Sequence, residues 1–236
     1  MFQREHHRRI ARVLEQLDGE LLRRHHCLFG GGTAIALLYG EFRESVDLDF
    51  LVSDREGYRG LRQSIRRQSS LKALWRTDGL PMNEEREPLA DQYGIRARVL
   101  VDEVAVKFEI VLEGRIELAS PSFEDQVCGI TCLTLGDMAC GKLLANSDRW
   151  NDDSVFNRDV LDLAHLPLSA PVLEGAIAKA EQAYGEAIRS DLEKALVRLK
   201  ERTGWLDRCR QALAIEEPRA LLWQKLSNLQ RLAGKG

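Results

Sequence analysis

Two aspartates one residue apart carry the strongest chemical signal in this chain. Asp47 and Asp49 lie in Asp47-Leu48-Asp49-Phe50-Leu51-Val52, where acidic and apolar residues alternate before an apolar end. Successive side chains of a strand point to opposite faces, so both carboxylates share one face while Leu48 and Phe50 turn to the core. Like charges at that spacing repel unless a cation lies between them. Carboxylate oxygens are the hard donors Mg²⁺ prefers, and two such ions about 3.5–4 Å apart clamp an in-line attack at phosphorus.

A second feature precedes them. The apolar run Cys27-Leu28-Phe29 ends in Gly30-Gly31-Gly32-Thr33, and a helix is expected from Ala34. Glycine tolerates positive φ and lets a phosphate approach the backbone. The helix N-terminus behind it offers free N–H groups and a positive dipole to an anion. Thr33 either caps that helix or touches a phosphate oxygen. The short excursion back to the next strand is expected to bring Thr33 near Asp47 and Asp49. A lone pair of aspartates or a lone glycine turn is common. Their succession as strand, turn, helix and strand points to phosphoryl chemistry.

A third feature lies further on. Lys142 stands in a helix otherwise rich in Ala, Cys, Met and Leu. A buried ammonium needs a partner, either a triphosphate or an aspartate. Arg158 and Asp162, four apart, share a helix face, with Asp159 turned aside. A salt-bridge network tying two helices together is the alternative reading.

The elements that must position these residues follow from periodicity. Residues 3–24 read as one amphipathic helix through Ile10, Val13, Leu14, Leu17 and Leu21. Residues 57–68 form a basic helix. Tyr93–Val101 and Val104–Leu112 form an antiparallel hairpin around Asp102-Glu103. Beyond Ser120-Pro121 the pattern turns helical, at about 134–148, 155–165, 171–187, 190–203, 205–214 and 218–233. The expectation is an α+β chain: a mixed sheet with helices over 1–119, then a helical domain over 120–236.

Composition narrows the class. Of 236 residues, 44% are hydrophobic and 30% charged, which excludes disordered and collagen-like chains. No apolar run reaches about 18 residues, so no membrane span is expected. No apolar h-region follows the basic N-terminus, so the cytoplasm is the expected compartment. The five cysteines are odd in number and show no CxxC, which favours reduced thiols. The histidines form no catalytic pattern, and His6-His7 and His25-His26 are expected at the surface. Net charge is −3, yet 26 of 34 basic residues are arginine, the better phosphate partner. Arg4/Arg8/Arg9/Arg12 and Arg59/Arg62/Arg66/Arg67 cluster at helical spacing, as nucleic-acid contacts or as solvated faces.

The stretch GGGTAIALLYGEFRESVDLDFLV resembles the first motif of DNA polymerase β-type nucleotidyltransferases, and more narrowly the AbiEii/AbiGii toxin family. Arg43, Ser45, Asp47, Leu48, Asp49 and Phe50 carry the match. GKLLANSDRWNDDSVFNRDVLDLA resembles the same family's second motif, through Lys142, Arg149, Arg158, Asp159, Asp162 and Leu163.

The resemblance implies a Mg²⁺-dependent transfer of NMP from an NTP to an acceptor hydroxyl. Asp47, Asp49 and Glu109 would hold two ions, Mg²⁺ or Mn²⁺. Glu109 is the weakest of the three, since its position is loosely defined in sequence and an exposed strand acid balancing Lys107 is the alternative. Gly31, Gly32, Thr33, Lys142, Arg149 and Arg158 would bind the nucleotide, with Asp159 orienting Lys142 or serving as a further acid of the site. The family also implies a toxin with a cognate antitoxin, and the tRNA 3′ end as first acceptor. Protein NMP transfer and a non-catalytic nucleotide- or RNA-binding module are the alternatives.

Overall fold

The computed structural model describes residues 2–234. The chain divides into two compact units: Met1–Leu38 with Ser45–Thr134, and Tyr39–Glu44 with Leu135–Gly236.

The first unit opens with α1 (Glu5–Gln16) and α2 (Gly19–Arg24). The single helix expected over 3–24 therefore breaks. Leu17 forms a β-bridge with Trp75, and the Asp18 carboxylate accepts from the Leu21 N–H at 2.8 Å, capping α2. Then follow β1 (Leu28–Gly30), α3 (Gly31–Leu38), β2 (Leu48–Val52) and α4 (Arg55–Gln68). Two short strands, β3 (Asn83–Glu84) and β4 (Leu89–Ala90), precede the long hairpin β5 (Gly94–Val101) and β6 (Val104–Leu112). Its turn residues Asp102 and Glu103 both take positive φ, 49° and 63°, which suits the twist of a two-residue hairpin turn. The small hairpin β7 (Gln126–Val127) and β8 (Ile130–Thr131) closes the unit.

The main sheet runs β1-β2-β6-β5-β3, with β4 also on β5. Only the β2–β6 pair is parallel among its pairings. Phe29, Phe50 and Phe108, all fully buried, stack across β1, β2 and β6 with ring centroids 5.3 Å apart. Losing one such ring costs about 3–5 kcal/mol, so this row anchors the strand that carries Asp49.

The second unit is helical: α5 (Leu135–Arg149), α6 (Arg158–His165), α7 (Ala170–Tyr184), α8 (Ala187–Glu201), α9 (Trp205–Ala212) and α10 (Arg219–Ala233). α5 packs against α6, α7 and α8. The helix expected over 155–165 starts later, because Phe156 and Asn157 adopt positive φ. Asn157 earns that strain: its amide donates to the Trp150 carbonyl and its oxygen accepts from the Trp205 indole, each at 2.8 Å.

Two features of the division depart from the expected boundary at 119/120. It falls between Thr134 and Leu135, because the β7–β8 hairpin and Leu133, whose N–H bonds the Phe29 carbonyl at 2.9 Å, belong with the sheet. The short segment Tyr39–Glu44 belongs with the helices: Phe42 stacks on His165 at 3.7 Å and the Glu44 N–H bonds the Leu213 carbonyl at 3.1 Å. No helix among the described residues is long and apolar enough to cross a membrane.

Candidate active site

The register of the sheet assembles an acidic row. Gly30 pairs with Asp49, Asp49 with Glu109, and Glu109 with Arg96, at one level across β1, β2, β6 and β5. Neighbouring strands lie about 4.8 Å apart, so parallel pairing sets the carboxylates of Asp49 and Glu109 side by side. Asp47 stands half-buried just before β2, and no side-chain hydrogen bond reaches it from the described residues.

Glu109 is bound differently from its neighbours. Its Oε1 accepts from Arg96 Nε at 3.0 Å, and its Oε2 lies 2.7 Å from Lys107 Nζ. The hydrogen bond to Glu109 raises the Lys107 pKa against the opposing effect of burial, and the charges of Asp47 and Asp49 raise it further. One ammonium thus lies in the field of three carboxylates.

The donor set of Asp47 and Asp49 fits a hard divalent cation. Glu109 arrives in the expected register, but both of its oxygens are occupied by cations of the chain itself. Among the described residues no group of three His, Cys, Asp or Glu is arranged to hold a metal.

The glycine turn serves this row directly. Gly31 has φ +68°, and a Cβ there would stand 2.5 Å from Asp49 Oδ2. Any other residue would carry backbone strain and displace the carboxylate. α3 begins at Gly31, so Thr33 is the helix's third residue rather than its cap. Thr33 is fully buried, and its hydroxyl donates to Ser45 Oγ at 2.8 Å. That hydroxyl thus ties α3 to the segment that leads into Asp47.

The same segment corrects the expectation for His7, which is fully buried rather than at the surface. Its Nε2 accepts from the Ser45 backbone N–H at 3.2 Å. His7, Ile10, Ala11 and Leu14 share the buried stripe of α1, a spacing the sequence already contained.

The second unit holds a buried ion network. Arg43 grips Asp162 through Nε and Nη2 at 2.6 and 2.9 Å. Arg149 grips Asp159 in the same two-pronged way at 2.7 and 2.9 Å. Lys142 Nζ stands between them, 2.7 Å from Asp162 and 3.2 Å from Asp159. Both aspartates are buried, with side-chain exposures of 3% for Asp159 and 0% for Asp162.

Burial alone would raise both carboxyl pKa values. For Asp159 the attraction of Lys142, with Arg149, outweighs burial and holds it at about 2. Arg43 and Lys142 likewise hold Asp162 below the usual range. Three cations face two carboxylates, so the network keeps a positive surplus.

The expected nucleotide ligands of this unit therefore divide. Lys142 and Arg149 are engaged by aspartates, and two of the three Lys142 N–H donors are taken. Asp159, for which the resemblance implies an orienting role, lies 3.2 Å from the Lys142 ammonium, and Asp162 lies closer, at 2.7 Å. Arg158 is half-buried and makes no ion pair among the described residues. Sequence reasoning gave no role to Arg96, used Arg43 only to carry the family match, and named Lys107 only in the alternative reading of Glu109, the pair now seen at 2.7 Å. Arg43 and Arg96 stand in ordinary polar contexts, while Lys107, two residues before Glu109 on one strand, was visible by alternation.

A family model described as nucleotidyl transferase AbiEii toxin of type IV toxin–antitoxin systems matches residues 12–227. Among curated proteins none matches the chain. JHP933 from Helicobacter pylori is 17% identical, covering 97% of this chain and 89% of its own, with a TM-score of 0.52. A candidate nucleotidyltransferase from H. pylori is 16% identical over 97% and 92% of the two chains, with a TM-score of 0.51. These two likenesses show the fold. MenT4, a nucleotidyltransferase toxin from Mycobacterium tuberculosis, is 14% identical over 99% and 86%, with a TM-score of 0.49.

Proposed function

The chain belongs to the AbiEii nucleotidyltransferase toxin family, and on that premise we propose that it transfers NMP from an NTP to the 3′-hydroxyl of tRNA in a Mg²⁺-dependent reaction. In this reaction the acceptor oxygen bonds to the α-phosphorus, the α–β anhydride breaks, pyrophosphate leaves and the hydroxyl proton passes to solvent. The observation that carries the reading is the placement of Asp49 against Gly31 and in register with Glu109, with Asp47 two residues before it. These are hard donors at a turn where backbone can approach phosphate.

Asp47 and Asp49 are the residues that would hold the metal, with Glu109 joining if Lys107 and Arg96 release it. A bound Mg²⁺ supplies Lewis-acid neutralisation of the phosphate charge. Gly31 keeps the Asp49 carboxylate in place. Thr33, Ser45 and His7 order the backbone that enters Asp47. Within the helical unit by itself, Lys142 keeps one donor and Arg158 has no ion pair among the described residues, so these are the cations that unit offers to an anion. Catalysis of this kind is mostly positioning and electrostatics. As a family toxin the protein is expected to have an antitoxin that counters it.

The test is incubation of the purified protein with Mg²⁺, each α-labelled NTP, and total tRNA or total protein in turn. The expected result is label on tRNA from one preferred NTP, lost on chelation and in Asp49→Ala. Label on protein alone would replace the acceptor. No label with any acceptor would remove the reading.

A further inference from the structure

Helix α4 carries five arginines and one glutamate, in a chain whose net charge is −3. At 3.6 residues per turn, Arg55, Arg59, Arg62 and Arg66 fall within about 60° of one another. They make one stripe beside the buried face of Gly57, Tyr58, Leu61 and Ile65. Arg55, Arg59 and Arg66 are exposed and span about 16 Å of helix. Little acid neutralises them. Glu56 meets Arg59 at 3.3 Å across an exposed pair, a weak interaction. The Asp54 carboxylate accepts from the Glu56 and Gly57 N–H groups at the helix start.

The stripe leads to the acidic row. Arg62 Nη1 donates to the Asp91 carbonyl at 3.3 Å, and its buried Nε has no partner among the described residues. The Asp91 carboxylate holds Arg96 at 3.1 Å, and Arg96 holds Glu109 at 3.0 Å, next to Asp49. The helix offers no exposed apolar side chain. A protein partner seeks apolar and aromatic anchors, whereas a phosphate backbone needs only spaced positive charge.

We propose that Arg55, Arg59 and Arg66 form a docking surface for the sugar–phosphate backbone of the acceptor RNA. This rests on the RNA-acceptor reading above and adds where the acceptor lies. Such contacts are independent of base sequence and weaken steeply with salt, with a slope near −0.7 to −0.9 per phosphate contact.

The test compares wild type with an Arg55→Gln/Arg59→Gln/Arg66→Gln variant and an Arg→Lys triple at the same positions. Glutamine keeps helix propensity, and lysine keeps charge. Binding of bulk tRNA is measured from 50 to 200 mM salt, beside NTP-induced thermal stabilisation and label transfer. The Gln triple is expected to lose roughly tenfold or more in tRNA affinity, with a salt slope shallower by about 2–3. Its KM for tRNA rises while kcat at saturating tRNA and NTP stabilisation stay. The Lys triple retains most of the affinity. If wild type labels tRNA and the Gln triple does so with the same KM and slope, the docking surface is wrong while the acceptor reading stands. If wild type neither binds nor labels tRNA, both fall.

Discussion

The two charged centres of this protein are built on opposite plans. Around Asp47, Asp49 and Glu109, carboxylates outnumber the local cations Lys107 and Arg96, and the cations are about half exposed. Around Asp159 and Asp162, cations outnumber carboxylates, and the aspartates are buried. A partly buried acidic excess whose cations reach solvent can rearrange, and its hard donors fit a metal ion. A buried network of paired charges resists rearrangement, because each unpaired charge left inside costs several kcal/mol. The first centre offers hard donors for a metal ion, and the second ties Lys142 into a buried ion network.

The largest effect is expected from Asp49→Ala. It should lower NMP transfer about 10³-fold or more while the melting temperature stays within a few degrees, by label transfer and circular dichroism. A collapse in stability instead would make the acidic row structural and erase the contrast.

Lys142→Ala tests the other side. Removing the ammonium shared by two buried carboxylates, each of which keeps its arginine, should cost about 1.5–3 kcal/mol, lowering Tm by roughly 3–12 °C for a chain of this size. Arg43→Ala should do likewise. A fully stable Lys142→Ala variant that merely binds NTP more weakly would recast the network as a ligand site.

Gly31→Ala sharpens the link between turn and carboxylate. The left-handed backbone should cost about 1–2 kcal/mol, and displacement of Asp49 should slow turnover by roughly 10–100-fold. Unchanged kinetics would mean the Asp49 position is not critical.

The centres should also differ in acid. Asp159 is held at about 2, below the ordinary value near 3.9. Its contribution is therefore complete above about pH 4 and lost as pH falls towards 2. Urea midpoints should drop between pH 4 and pH 2, and Asp159→Asn should show a smaller drop, since Asp162 is held low as well. The smallest effect is expected from Lys107→Met. Removing a half-exposed ion pair worth at most about 1 kcal/mol should lower the Mg²⁺ concentration for half-maximal activity by up to about fivefold. No change would leave Glu109 outside the metal site.

Much of the first centre was legible because its geometry is local. Alternation alone put Asp47 and Asp49 on one face, and the glycines marked the close approach. The second centre was legible as residue types only. Lys142 demanded a partner and Asp159 and Asp162 were at hand, but Arg43 lies 119 positions from Asp162. Its six-residue segment joins the helices with no change in composition to announce it. His7 was misread because its polarity outweighed its place in the stripe with Ile10, Ala11 and Leu14.

Sequence by itself determined the chemistry on offer: the aspartate pair, the glycine turn, the lysine in an apolar helix and the arginine stripe of α4, all set by spacing along one element. Tertiary structure decided which charges meet. Parallel pairing of β2 with β6 set Asp49 beside Glu109, and antiparallel pairing of β5 brought Arg96 to that same acid. The reason is physical. Side-chain direction within an element follows from backbone dihedrals a few residues long, whereas strand register is chosen by how the whole sheet buries its Phe29, Phe50 and Phe108 core.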